Sequence, residues 1–384
     1  MTIGVPKETF PGENRVALVP ADIPALKKAG LEVVVESGAG RSAGYPDASY
    51  EQKGARIAVE RSDVFASADV IVQIRGFCAN PVHGKADLDL FRDRQVLVGF
   101  MKPCSNVLYV KTVSERKVVT FAMELIPRIS RAQGMDTLSS MMTVAGYKAA
   151  LLAADTLPRM FPMFITAGGT ITPARVLVIG AGVSGLQAIA TAKRLGAVVR
   201  AYDIRPAVKE QVESLGARFV ELELETVDAE TRAGYAREMG TDFYEKQRRL
   251  LKKVVGESDA VITTAVIPGK KAPVLITEEM VQAMPYGSVI VDVAAESGGN
   301  CELTEPGKTR VIHGVTIVGA TNLASAIPYH ASQLYSRNIT SFLCNLVRDG
   351  NLVFDMEDQI VRETMVTRDG EFMDKRIKEV LDQP

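Results

Sequence analysis

The stretch RVLVIGAGVSGLQAIATAKRLGAVVRAYD, Arg175 to Asp203, leaves a folding chain little choice. Val176 to Ile179 is an unbroken apolar run, as expected of a strand covered on both faces of a parallel sheet. Gly180, Gly182 and Gly185 follow as G-x-G-x-x-G, and an amphipathic helical segment with Leu186, Ile189, Ala190 and Leu195 comes next. Gly180 permits a tight turn, Gly182 lets a pyrophosphate approach the backbone, and Gly185 lets helix and strand pack closely. Val183 and Ser184 stand at the helix start, where unpaired N–H groups and the positive dipole end face phosphates. The next strand ends at Asp203, about 20 residues past the glycines, where a carboxylate accepts the ribose hydroxyls of NAD and repels a 2′-phosphate. Ile204 and Arg205 follow, and Arg205 softens that preference. The bland alternative, a glycine-rich structural turn with an incidental acid, has strand, glycines, helix and acid in register against it.

A domain usually holds about 100–200 residues, so 384 residues that are 47% hydrophobic predict two domains. The runs TIGVP, LEVVVES, ADVIVQI, QVLVGF and KVVTFA alternate with helix-compatible segments such as ADIPALKKAG and DASYEQKGA. RVLVIG, AVVRAYD, ARFVELE, DAVITTA, SVIVDVA and VTIVGA repeat the theme. Such alternation predicts an α/β fold of two Rossmann-like doubly wound parallel-sheet domains. Met135 to Phe161 is helical in composition and joins the two regions. The helical tail from Ala331 to Val347 is expected to return to the first. The second domain, 138–325, is therefore expected as an insertion in a discontinuous first domain, 1–137 plus 326–384, with a ligand cleft between them.

A net charge of -1 with both signs interspersed gives no footprint for nucleic acid or an anionic membrane. Cys78, Cys104, Cys301 and Cys344 are far apart, which argues for a reducing compartment and against a disulfide framework or a zinc site. His83, His313 and His330 share no metal-ligand spacing, so no metal is expected. The opening MTIGVPKETFPGENRVALVP has charges and prolines where a secretory signal needs an apolar core. MMTVAGYKAALLAADTLPRMFPMF is interrupted by Lys148, Asp155, Arg159 and two prolines, so it is expected as a buried or interdomain helix and no membrane span is expected.

Two further clusters carry polar groups. RISRAQGMDTLSS, with Arg128, Arg131, Gln133, Asp136, Ser139 and Ser140, reads either as a site at the domain junction or as a capped helix start with a solvated face. TRAGYAREMGTDFYEKQRR, with Gly234 and Gly240, reads either as a lid or as a tolerated surface loop.

On these residues the chain resembles the NAD(H)-binding component, domain I, of the proton-translocating nicotinamide nucleotide transhydrogenases, relatives of the alanine dehydrogenases. The likeness runs through GVPKE…ENRVALVP, RISRAQGMDTLSS with AGY after it, GAGVSGLQAIATAKRLGA, GYAREMG, TTAVIPGKKAPVLIT and GSVIVDVAAESGGNCELT. It implies that Arg128, Gln133, Asp136 and Ser139 surround the nicotinamide end as the catalytic set. It also implies cofactor contacts at Ile129, Met135, Tyr147, Ala265, Val266 and Gln247, and at Gly234 and Tyr235 of a mobile loop. Gly134 and Lys271 depart from the serine and proline that relatives often carry there.

Alanine dehydrogenases need a first-domain lysine and histidine to bind pyruvate and manage protons. The matching regions here, IVQIRGF and VGFMKPC, put Arg75 near the lysine position and no histidine near Lys102. Without a group titrating near neutrality, acid–base work on a keto acid loses its proton carrier. Hydride transfer between two nicotinamide rings needs none. The resemblance therefore implies the first polypeptide of a split alpha subunit, in a transhydrogenase of the Si–Re (AB-specific) type. It binds NAD(H) as a homodimer, with NADP(H) only on a partner. Its expected partners are the small membrane polypeptide that completes the alpha subunit and a beta subunit with the NADP(H) domain. The chain would sit on the cytoplasmic face of the cell membrane through these subunits, which carry the proton path. An amino-acid dehydrogenase and a non-catalytic NAD-binding protein are the alternatives.

Overall fold

The computed structural model describes residues 1–221, 241–267, 270–348, 350–374 and 377–378. The chain divides into two compact units, one made of Met1–Met141 and Ser325–Pro384, the other of Met142–Ala324.

The first unit opens with β1 (Thr2–Val5), β2 (Glu32–Glu36), β3 (Arg56–Ala58), β4 (Val70–Arg75), β5 (Val96–Phe100) and β6 (Val119–Ala122). The second holds a small hairpin, β7 (Phe164–Thr166) with β8 (Gly169–Ile171). After it come β9 (Arg175–Ile179), β10 (Val198–Tyr202), β11 (Arg218–Phe219), β12 (Ala260–Thr263), β13 (Val289–Asp292), β14 (Thr309–Ile312) and β15 (Val315–Gly319). The tail adds β16 (Val347–Arg348), β17 (Asn351–Leu352), β18 (Met365–Arg368) and β19 (Glu371–Phe372) to the first unit.

The first sheet runs β19-β18-β6-β5-β4-β1-β2-β3. Strands β1 to β6 pair in parallel, and the tail closes the edge with β18 antiparallel on β6. The second sheet runs β11-β10-β9-β12-β13-β15-β14, parallel except at β14. Both are the doubly wound α/β sheets expected from the alternating runs.

Burial explains why those runs were legible. Every residue of β4, β6, β12 and β13 is buried, as strands covered on both faces require. The Thr137–Thr156 helix buries Ala149, Ala150 and Ala153 in the cluster that holds Val176 and Val178 of β9. That is the buried helix expected of this segment. Among the described residues no helix is long and apolar enough to cross a membrane. The four cysteines are free thiols; burial pushes Cys78 up to about 12 and Cys301 up to about 11.

Candidate nucleotide site

Backbone stereochemistry in the second unit accounts for each fingerprint glycine. Gly180 has φ of +96°, and a Cβ there would lie 2.7 Å from Thr264 Oγ1. A Cβ at Gly185 would lie 1.8 Å from the Gly180 carbonyl oxygen, so neither position tolerates a side chain. At Gly182 the nearest atom to such a Cβ is Arg205 Nη2 at 4.0 Å, so this face of the backbone stays open. The helix Val183–Arg194 starts after Gly182 with no side-chain cap. Ser184 Oγ, buried in its first turn, has no hydrogen-bond partner among the described residues. Uncapped N–H groups, an orphan hydroxyl and an open glycine fit a bound pyrophosphate, and Val183 shares that turn. Thr264, which no sequence motif singled out, braces the turn: its Oγ1 donates to the Gly180 carbonyl at 3.0 Å.

Gly146 supplies a contact that the fingerprint string does not encode. It sits in the Thr137–Thr156 helix, where a Cβ would come 2.0 Å from the Ser184 carbonyl oxygen. The two helices touch backbone to backbone there, which fixes the first turn of the Val183–Arg194 helix. Tyr147, the next residue, is 41% exposed.

Asp203, at the end of β10, is buried and already occupied. Its Oδ2 accepts from the Ala181 N–H at 2.7 Å and from Arg205 Nη2 at 2.9 Å; its Oδ1 accepts from the Arg205 N–H and Nε, both at 2.9 Å. The carboxylate thus ties the glycine turn to Arg205, and a ribose hydroxyl would share it with that guanidinium. Ile204, between the two, is half-buried. Gln247 is 2% exposed; its Nε2 donates to Tyr202 Oη at 2.7 Å, while its Oε1 has no partner among the described residues. Burial pushes the Tyr202 phenol up to about 12.

Ala265 and Val266 follow β12 and are half-buried. Asn300 pins them, accepting from the Ala265 N–H at 3.0 Å and donating through Nδ2 to the Ala265 carbonyl at 2.8 Å. Asn300 is held in turn by fully buried Asp292, which accepts from the N–H groups of Ala294, Asn300 and Cys301 and from the hydroxyls of Thr263 and Thr304. The VDVAAESGGNCELT stretch is therefore a brace for the loop at Ala265. Gly134 and Lys271 are accommodated: a Cβ at Gly134 meets only Ser341 Oγ at 3.9 Å, and the Lys271 stem lies against Gly298. Gly234 and Tyr235 lie outside the described residues.

In the first unit, RISRAQGMD forms a short 3-10 turn, Ser130–Met135, leading into the Thr137–Thr156 helix. Asp136 caps that helix, accepting from the Ser139 N–H at 2.8 Å and from the Ser139 hydroxyl at 2.6 Å. Arg128 and Gln133 project exposed, Ile129 is half-buried and Met135 is buried. Arg131 turns to the tail, pairing with Asp358 and holding that carboxyl down to about 2. The cluster thus has both characters weighed in its sequence: a capped helix start, with two of its polar side chains exposed.

Contrary to the expectation from sequence, the first unit does hold a group that titrates near neutrality. Burial, reinforced by the nearby Glu13 carboxylate, pushes Glu8 up to about 8. It accepts from the Ile74 N–H at 2.6 Å and the Arg75 N–H at 3.3 Å. No spacing rule flags it, because the shift comes from packing. Among the described residues no group of three or more His, Cys, Asp or Glu side chains is placed to hold a metal.

Family models match nearly all of the chain: the alanine dehydrogenase/PNT N-terminal domain over residues 4–145 and the C-terminal domain over 149–375. The chain belongs to the alanine dehydrogenase/PNT family. A curated family member, the first polypeptide of the split NAD(P) transhydrogenase alpha subunit of Rhodospirillum rubrum, is 49% identical over 374 residues, covering 96% of this chain and 97% of that one. A crystal structure of transhydrogenase from Sinorhizobium meliloti matches with a TM-score of 0.86 and 42% identity, covering 97% of this chain and 100% of that one. An L-alanine dehydrogenase structure matches with a TM-score of 0.83 and 25% identity over 99% of each chain. The family therefore stands as the motifs indicated, with transhydrogenase alpha subunits as relatives and alanine dehydrogenases as more distant ones.

Proposed function

We propose that this family member is the NAD(H)-binding component of a proton-translocating transhydrogenase, of the Si–Re (AB-specific) type. The observation that carries the reading is the second-unit cradle: an uncapped helix N-terminus, an open Gly182 and a buried orphan hydroxyl at Ser184 behind an apolar strand. Bound NADH would supply the hydride, passed to NADP+ on a partner subunit. The chain's own residues would hold and orient. Gly180 to Gly185 take the pyrophosphate, Asp203 takes the ribose, and Ile204, Arg205, Gln247, Ala265 and Val266 line the nucleotide. Arg128, Gln133, Asp136 and Ser139 orient the nicotinamide end, with Ile129, Met135 and Tyr147 beside it. Catalysis of this kind is positioning in a site that excludes water.

The Rhodospirillum rubrum relative is named as only one piece of an alpha subunit, which supports partners for this chain. We assign these as a small second alpha polypeptide and a beta subunit carrying NADP(H) and the proton path. We assign the chain as a homodimer on the cytoplasmic face of the cell membrane, held there by those subunits.

A second reading, an amino-acid dehydrogenase, has Glu8 in its favour, because a carboxyl titrating at about 8 could carry a proton. Membranes that hold the partner subunits but lack this chain separate the two. The chain has no tryptophan, so NADH fluorescence reports binding free of indole emission. Added chain and NADH should restore NADP+ reduction, and Gln133→Ala should lose it. NADH binding without transfer, joined to turnover of pyruvate and ammonium, would refute the proposal.

A further inference from the structure

The strand order of the first sheet reverses between β4 and β1, and open α/β sheets bind ligands at such a switch point, beyond the carboxyl ends of the strands. Arg75 is the last residue of β4, and Glu8 follows shortly after β1. Arg15 joins them on the irregular segment after β1. Both guanidinium side chains are more than nine-tenths buried, and they converge on one group, the fully buried carboxylate of Glu13. Arg15 Nε donates to Glu13 Oε1 and Arg15 Nη2 to Oε2, each at 2.6 Å. The Arg15 N–H adds a bond of 3.2 Å, and Arg75 Nε one of 3.3 Å to Oε2. Arg75 also stacks on the Phe10 ring at 4.1 Å. A bidentate arginine, a second arginine and a main-chain N–H on one carboxylate is the arrangement by which proteins bind a small carboxylate ligand.

We propose that the switch point of the first unit is a binding site for a small monocarboxylate, which the chain keeps filled with the side chain of Glu13. The frame around Glu13 is held independently of that side chain. Asn14 N–H donates to Ser325 Oγ at 2.7 Å, Val16 N–H to Ser332 Oγ at 3.0 Å, and Val19 N–H to Ser336 Oγ at 2.9 Å. Ser332 and Ser336 are one turn apart on the buried Pro328–Leu346 helix. Truncating Glu13 therefore leaves two buried cations in a fixed frame, with space the size of the acetate group that was removed. A free carboxylate of that size restores the lost charge and hydrogen bonds; chloride restores only charge. Glu13 is then a specificity determinant, denying keto acids a place in the first unit. This inference is independent of the nucleotide reading, since its test needs neither NADH nor a partner subunit.

The experiment compares thermal unfolding of the full-length wild type, Glu13→Ala and Glu13→Gln in sodium chloride and in sodium acetate or pyruvate at equal ionic strength. Glu13→Ala should melt several degrees lower in chloride and recover saturably with about 100 mM carboxylate, as ligand linkage requires. Wild type and Glu13→Gln, whose site stays filled, should show no carboxylate-specific shift. Should Glu13→Ala not fold in chloride, refolding yield in acetate against chloride is the readout, and rescue by acetate alone is expected. The inference is overturned if Glu13→Ala shows no carboxylate-specific gain, or if wild type or Glu13→Gln gains as much.

Discussion

Gly146→Ala is the most informative single substitution, because two opposing magnitudes meet at one atom. Alanine is favoured over glycine inside a helix by about 1 kcal/mol, so an unconstrained site would be stabilised. Here the new Cβ would stand 2.0 Å from the Ser184 carbonyl oxygen, where contacts under 3.0 Å are essentially never seen. The Thr137–Thr156 and Val183–Arg194 helices must part by about 1 Å to admit it. Overpacking of this kind costs about 1–3 kcal/mol, which exceeds the propensity gain. The net expectation is a loss of about 1–2 kcal/mol, read as a melting temperature lower by roughly 2–8 °C for a unit of this size. The displaced element is the first turn of the proposed phosphate cradle, so NADH affinity, followed by fluorescence, should fall several-fold as well. A Gly146→Ala protein that melts at or above the wild-type temperature and binds NADH equally well would refute the close-contact argument.

Glu8→Gln tests the raised carboxyl. In the folded state Glu8 holds its proton up to about pH 8, against an ordinary value of 4.5, so wild-type stability falls as pH rises through that window and levels off above it. At about 1.4 kcal/mol per pH unit the ceiling is roughly 5 kcal/mol, lowered by water access to this half-buried side chain. Denaturant titrations should show the variant gaining on wild type from pH 5 to pH 8; parallel curves would contradict the assignment. Asp292→Ala strips acceptors from three N–H groups and two hydroxyls. Orphaned buried donors of this kind cost about 1–3 kcal/mol each, so global unfolding should shift by several kcal/mol and the Ala265 amide should lose hydrogen-exchange protection. Asp203→Ala should weaken NADH binding far more than NADPH binding in titrations, and equal losses would remove its proposed ribose role.

The parallel strands could be read because each is an unbroken apolar run, and the fingerprint could be read because its glycines answer a steric demand confined to a few residues. Local signals failed where pairing was edge-on and half-solvated. Strand β14 has the exposed pattern of an edge, and its turn into β15 is His313-Gly314, both at positive φ. A two-residue turn of that kind is usually announced by Asn-Gly or Asp-Gly, so His-Gly passed unnoticed. Strands β18 and β19 were likewise hidden, since nothing in MVTRDGEF tells of a partner strand far upstream. At the nucleotide site the glycines and Asp203 were legible, whereas Gly146, Thr264, Asn300 and the occupation of Asp203 by Arg205 depend on chain segments that meet only in the fold. Glu8 is a further case: its sequence neighbourhood is ordinary, and its chemistry comes from burial beside Glu13.

The edge closure of the first sheet also sets a timetable for synthesis. Thr120 of β6 and Thr367 of β18 share a hydrogen bond at 2.8 Å across 247 residues of chain. At translation rates of about 5–20 residues per second, β6 waits roughly 10–50 s on the ribosome for its neighbour. Every strand and helix of the second unit emerges during that wait. The nucleotide-binding half can therefore complete itself while the earlier-made half still exposes an apolar sheet edge, and it is the opening segment, born first, that finishes last and depends most on chaperone cover.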